Sequence, residues 1–177
     1  MGKEKKYIIK EVARLYKGVE LLSNWATHYP IQSHLREIED YLVSLEKEEG
    51  KLPCLECTNE SFQAGLYVNL HEFLYEGAPE LEVEPFVSLD PYYVDDCFLE
   101  EKDHSQNEQF ENIKDAITYL SDWAHDIIDM DANVIISNLM DKIEILYGEY
   151  FGIKEEDISP NDAHSWAKTI YEYDGII

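Results

Sequence analysis

EQFENIKDAITYLSDWAHDIIDMDANVIISNLMDKIEILY, residues 108–147, repeats its apolar side chains every three or four positions. That period matches the turn of an α-helix, not the two-residue alternation of a strand. It predicts one helix from Glu108 to Asp129, with Phe110, Ile113, Ile117, Leu120, Ala124, Ile127 and Ile128 on one side. A second helix is predicted from Ala132 to Tyr147, carrying Ile135, Leu139, Ile143 and Leu146, with Asp131 as the cap between them.

The same period recurs towards the N-terminus. Lys5 to Asn24 presents Ile8, Val12, Leu15, Val19 and Leu22 as one stripe. Ile31 to Glu48 does so with Ile31, Leu35, Ile38, Leu42 and Leu45, and Gly50 with Pro53 marks its exit. His28-Tyr29-Pro30 interrupts the two helices, which are expected to pair antiparallel. After the Cys54-Leu55-Glu56-Cys57 turn, Asn59 is the expected cap of a helix bearing Phe62, Leu66, Leu70, Phe73 and Leu74, ended by Gly77. Ala78 to Leu89 contains Pro79 and Pro85 and alternates through Leu81-Glu82-Val83-Glu84. It reads as a short edge strand or an extended loop, because proline cannot donate within a ladder.

Pro91 to Leu99 reads as a short turn of helix, and Glu100 to Asn107 as an exposed, mobile loop. Ser159-Pro160-Asn161-Asp162 supplies a cap, a proline at the first helical position and an acid in the first turn. A last helix to Tyr173, burying Ala163, Trp166, Ala167 and Ile170, follows from it. The expected fold is therefore mainly α, a compact single-domain bundle of five to six helices with one short edge strand or hairpin. A length of 177 residues suits a single domain, and 45% apolar residues suffice for a packed core.

Charge divides this domain into two regions. Residues 1–50, the near-neutral helical pair, hold nine acids and eight bases; residues 51–177, a strongly acidic helical region, hold twenty-nine acids and six bases. The total of −24 is far beyond what solubility requires of a small domain. Direct binding of nucleic acid or an anionic membrane is disfavoured, because phosphate affinity comes from clustered Lys and Arg. Lys3, Lys5, Lys6, Lys10, Arg14 and Lys17 form the one basic cluster, partly offset by Glu4 and Glu11. No apolar run is long enough for a bilayer, and the polar start lacks a signal-peptide core. Three cysteines, Cys54, Cys57 and Cys97, suit a reducing compartment, so a cytoplasmic location is expected.

Placed at the helical angle, Glu108, Glu111, Asp115, Asp122, Asp126 and Asp129 fall within roughly 60° of one another, opposite the apolar side. They form an acidic spine about 31 Å long. Its intervals are comparable to those between phosphates along a duplex. Like charges at this spacing cost a helix about 0.2–0.5 kcal/mol per pair, and only Lys114 is near, off the stripe. Acid is dense again at Glu80-Glu82-Glu84, from Asp90 to Asp103, and at Glu155-Glu156-Asp157. Tyr92 and Tyr93 sit beside Asp95 and Asp96, adding rigid contact area suited to recognition.

Catalytic and metal chemistry have weak support. Cys54 and Cys57 have the spacing of half a zinc site, which Cys97 and His71 would have to complete. His125 with Asp122, Asp126 and Asp129 would attract Mn²⁺ or Mg²⁺ weakly without ligands from another element. No glycine-rich phosphate loop, HExxH motif or EF-hand loop is present. No cofactor, resident metal or enzymatic activity is expected.

The function that composition and charge favour is that of an inhibitor or mask. It would occupy the basic surface of a partner protein, such as a nuclease or another nucleic-acid-binding protein, by nucleic-acid mimicry. Small size and strong acidity are shared by many proteins that fill the DNA channel of an enzyme, and by many immunity proteins against nuclease toxins. The likeness is one of charge and size alone. On this reading the setting is the cytoplasm of a bacterial cell or phage-infected host. The alternative is an adaptor or structural protein docking through an apolar helix face, and oligomeric state is left open. In a gel-shift measurement at physiological salt, neither duplex DNA nor RNA should be retarded; specific binding at micromolar concentration or tighter would overturn the electrostatic argument.

Overall fold

The computed structural model describes residues 2–25, 30–91, 94, 98 and 110–174. Among them lie six α-helices, α1 (Gly2–Trp25), α2 (Gln32–Glu49), α3 (Leu55–Ser61), α4 (Leu70–Tyr75), α5 (Ile113–Phe151) and α6 (Pro160–Asp174). A 3₁₀ turn, Glu155–Asp157, and two strands, β1 (Phe62–Val68) and β2 (Val83–Leu89), lie among them as well. The chain is mainly helical with one two-stranded sheet, as expected. It divides into two compact units, one of Met1–Thr27, Val68–Val83 and Asp131–Ile177, the other of His28–Tyr67 and Glu84–Met130. The helices expected as a pair, α1 and α2, fall in different units.

In the first unit the stripe of α1 is buried as its period requires: Ile8, Val12, Leu15, Val19 and Leu22 are each at most 7% exposed. α1 packs along α6, whose buried edge is the small pair Ala163 and Ala167, while Trp166 and Ile170, expected to be buried with them, are half-buried. The rings of Tyr16 and Tyr171 meet here at 5.5 Å. Burial, then the nearby Glu20 and Glu172, pushes the Tyr16 phenol above its ordinary value. Arg14 ties α1 to the chain after α4. Its guanidinium stacks 4.1 Å from the Phe73 ring centre, donates to the Ala78 carbonyl at 2.8 Å and pairs with Glu11. α6 starts at Pro160, with the Ser159 hydroxyl accepting from the Asp162 N–H at 3.5 Å, as its signature predicts.

In the second unit α2 buries Leu35, Ile38, Leu42 and Leu45, with Ile31 buried just before it. Gly50 and Gly77 stand after α2 and α4 with φ of 78°, where a side chain would be strained, and end those helices as expected. Around Cys54 the structure departs from expectation. The helix starts at Leu55, and its cap is Cys54, whose Sγ accepts from the Cys57 N–H at 3.4 Å; Asn59 lies inside it.

Phe62–Val68 is a strand, not the continuation of a helix. The four-residue step from Phe62 to Leu66 suits a helix, but Phe62, Ala64, Leu66 and Val68 also alternate, and a seven-residue run cannot decide between the two. A partner strand decides it. The Asn69 N–H donates to the Glu82 carbonyl at 3.3 Å and the Asp90 N–H to the Ser61 carbonyl at 2.9 Å. These bonds set an antiparallel register in which Tyr67 faces Glu84, Gly65 faces Phe86 and Gln63 faces Ser88. Phe62, Pro85, Val87 and Leu89 point inward and are buried, while Tyr67 and Phe86 stack outside at 4.4 Å. Pro85, between bonded positions, turns its missing N–H to the outer edge, so the edge-strand reading of Ala78 to Leu89 holds.

α5 shows the largest departure. The two helices expected from residues 108–147 are one helix of 39 residues, and Asp131 lies within it. A capping residue starts a helix only where the preceding turn has already ended, and neither glycine nor proline interrupts residues 113–147. Its buried line is Ala116, Leu120, Ala124, Ile128, Ala132, Ile135, Leu139, Ile143 and Leu146. Phe110, Ile113, Ile117 and Ile127 flank that line, half-buried. Near its end, a Cβ on Gly148 would stand 2.8 Å from Ile158 Cδ1 and 2.9 Å from the Ile153 carbonyl oxygen. The oxygen belongs to the backbone and cannot swing aside. Gly148→Ala should therefore lower stability by about 1–3 kcal/mol, read as a lower urea midpoint with unchanged slope.

Candidate functional site

The acidic spine must be read on the helix as it stands. α5 begins at Ile113, so Glu111 precedes it, exposed, and Glu108 lies outside the described residues. Asp115, Asp122, Asp126 and Asp129 remain on α5, spanning about 21 Å of its axis. Asp115, Asp122 and Asp126 are exposed and Asp129 is half-buried. They stand opposite Ala116, Leu120, Ala124 and Ile128, as the period requires.

Asp115 has a local task. Asn112 Oδ1 accepts from the Asp115 N–H at 2.9 Å, and Asn112 Nδ2 donates to Asp115 Oδ2 at 3.0 Å. This pair satisfies a first-turn amide and sets a carboxylate at the positive end of the helix dipole. Asp122, Asp126 and Asp129 make no hydrogen bond or ion pair with the other described residues. Asp122 and Asp126 direct their charge to solvent, and Asp129 does so in part.

Beside this row lies an aromatic group that the sequence reading missed. Tyr119 and Trp123, one turn apart, are half-buried between the acids and the buried line. The Tyr119 ring is 5.5 Å from Phe110 and 6.0 Å from Trp123, which stacks on Phe62 at 4.5 Å. The Tyr119 hydroxyl donates to Asn59 Oδ1 at 3.0 Å. The four-residue spacing of Tyr119 and Trp123 was the signal available; the packing that fixes them involves Phe62, far away in the chain. Carboxylates thus alternate with rigid aromatic edges along one surface, an arrangement that complements Lys and Arg by charge and by cation–π contact.

The remaining candidates are placed as follows. Tyr92, Tyr93, Asp95, Asp96, Cys97 and the expected loop 100–107 lie outside the described residues, while Pro91 and Val94 are helical. Glu80, Glu82 and Glu84 are exposed, with Glu80 3.8 Å from Lys17, and Glu155, Glu156 and Asp157 form the exposed 3₁₀ turn. Cys54 and Cys57 are buried, with Phe98 packed against them, and the Cys54 Sγ serves as a helix cap. Thr58 and Ser61 return their hydroxyls to the Cys54 and Cys57 carbonyls, so the buried polar groups of α3 are satisfied. His71 is exposed, 3.6 Å from Glu76. Among the described residues no three His, Cys, Asp or Glu side chains converge as metal ligands, His125 and its neighbouring aspartates included. No helix of the described chain is long and apolar enough to cross a membrane.

Substitution separates the capping task at the start of α5 from the exposed charge further along it. Asn112→Ala should cost about 1 kcal/mol in a urea titration by removing the cap, whereas Asp126→Asn should leave stability unchanged or slightly raised by relieving repulsion.

Comparison with family profiles, with characterised proteins and with solved structures finds no significant match, so a functional reading stands on the residues alone.

Proposed function

We propose that this chain is a binding protein that occupies a basic, nucleic-acid-binding surface of a partner protein, acting as a mimic of nucleic acid and so as an inhibitor or mask. The observation that carries the proposal is the row Asp122, Asp126 and Asp129 on α5, the first two exposed and the third half-buried, without ion-pair partners among the described residues and with Tyr119 and Trp123 beside its first two members. On an ordinary soluble helix such acids alternate with lysines that relieve the repulsion. Here no lysine stands within one turn of the row, and Tyr119 and Trp123 each precede one of its acids by three residues. The carboxylates would stand in for phosphate oxygens, and the aromatic edges for the apolar surface that fixes register.

The net charge of −24 adds steering at long range. It would speed encounter with a positively charged channel, and added salt would slow it. The chemistry required of the chain is presentation of fixed charge. Its proposed activity is binding, with no covalent step.

The test begins with capture of the partner on the tagged chain at moderate and high salt, followed by its displacement with duplex DNA or RNA. Mimicry requires competition for one surface; a partner that binds the chain and nucleic acid simultaneously would sink the proposal. The association rate is then measured by stopped flow across a salt series. Replacing Asp122, Asp126 and Asp129 together with Asn should lower it about tenfold at low salt and make its salt dependence shallower. Replacing the exposed acids Glu37, Glu39 and Asp40 of α2 is the charge-matched control, and equal losses in both variants would reduce the row to general charge.

A further inference from the structure

The solvent face of the other half of α5 carries a different surface. Within the first unit a groove of about 400 Å³ lies along α5 beside α4, lined by Leu74, Tyr75, Asn138, Lys142, Ile145 and Leu146. Past Ile145 it is continued by a hollow of about 320 Å³ that includes Ile153 and Ile158. The apolar lining is open to solvent, with Tyr75 70% and Ile145 54% exposed.

The rim is acidic. Asp141, Ile145 and Glu149 are exposed and four residues apart, so the isoleucine has a carboxylate one turn, about 6 Å, before and after it. Glu155 adds a third acid across the hollow. Asp141, Glu149 and Glu155 make no ion pair among the described residues. Two lysines stand near: Lys142 Nζ donates to the Leu74 carbonyl at 2.9 Å and lies 4.9 Å from the Tyr75 ring centre, while Lys154 is exposed and lines the hollow beside Glu155. Three acids against one unengaged lysine leave the surface apolar along its floor and negative on balance along its edges.

We propose that this groove docks a basic amphipathic helix of a partner protein, whose apolar side chains rest on Ile145 and Tyr75 while Lys or Arg one turn to either side meets Asp141 and Glu149. Asn138 to Glu149 follows about 16 Å of helix axis, room for about three turns of such a ligand. Charge complementarity selects the occupant. An entirely apolar helix would cover the carboxylates without pairing them, and an acidic one would be repelled. A second copy of this chain would bring its own charge of −24 to a negative rim. Apolar anchors at helical spacing in a groove are a general mode of peptide recognition. This site is separate from the acid row near the start of α5 and stands or falls without it.

The probe is a fluorescein-labelled helical peptide of about three turns with the repeat Lys-x₃-Leu-x₃-Lys, compared by anisotropy at about 0.15 M salt with a charge-matched peptide in which Ser replaces Leu. The leucine peptide should bind at least about tenfold more tightly. Ile145→Asp should abolish that advantage, and Glu149→Lys should weaken both peptides, with circular dichroism confirming the fold of each variant. Asp122, Asp126 and Asp129 all changed to Asn should preserve the leucine advantage, a result that separates this site from the acid row. Equal binding of the two peptides, or an advantage that survives Ile145→Asp, would overturn the proposal in favour of diffuse charge. Should Ile145→Asp fail to fold, amide shifts of the unmodified chain decide: perturbation centred on Tyr75, Ile145 and Glu149 supports the groove, and perturbation centred elsewhere rejects it. A concentration-dependent dimer in sedimentation velocity that the peptide dissociates would assign the groove to a second copy and reject the heterologous partner.

Discussion

The unbroken run of α5 is the constraint on which the rest depends. A helix of 39 residues must bury an apolar line along its whole length, and the spacing of that line dictates where everything else on the helix can go. From Ala116 to Ala132 the buried residues recur at steps of four, which overshoot a full turn by about 40° each time. The line therefore winds around the helix, and the solvent face winds with it. At the N-terminal end that face is Asp115, Asp122 and Asp126. Further on it has turned to Val134, Asn138, Asp141, Ile145 and Glu149. One helix thus presents two chemically different surfaces, the first charged with aromatic flanks, the second apolar with a charged rim.

Acid on the solvent face is by itself an ordinary outcome, since charge cannot be buried unpaired and must go where the apolar line is not. Two details give it more meaning here. The lysines that would neutralise the row are missing, and side chains with fixed ring positions take their place beside it. Fixed rings add contact area without much loss of side-chain entropy on binding. Tyr119 is held by a hydrogen bond to Asn59 and by packing against Phe110 and Trp123.

Polar side chains do much of the joining work elsewhere. Arg14, the half-buried cation of α1, is held by Glu11, Phe73 and the Ala78 carbonyl. Asn69 closes the open end of the sheet, donating to the Glu80 carbonyl at 3.1 Å and accepting from the Glu82 N–H at 2.6 Å. Cys54 caps α3 where Ser or Asp would be usual. In each case a residue with a familiar functional reading is used to satisfy backbone groups, because buried amides and carbonyls without partners are costly.

The amino-acid sequence by itself determined which faces are buried in α1, α2 and α6, where those helices end, and that acid stands opposite the apolar side of α5, because each of these follows from a helical period and a few local capping or breaking residues. Only the tertiary structure decided that residues 113–151 continue through Asp131, that Phe62–Val68 pairs as a strand, that Cys54 is a cap, and that Trp123 meets Phe62. The physical reason is range. A period of three or four records what one turn shares with the next, and it says nothing about a partner strand twenty residues away or an aromatic ring sixty residues earlier in the chain. Where the local pattern fits two conformations, as it does for a short alternating run such as Phe62–Val68, the pairing supplied from that distance makes the choice.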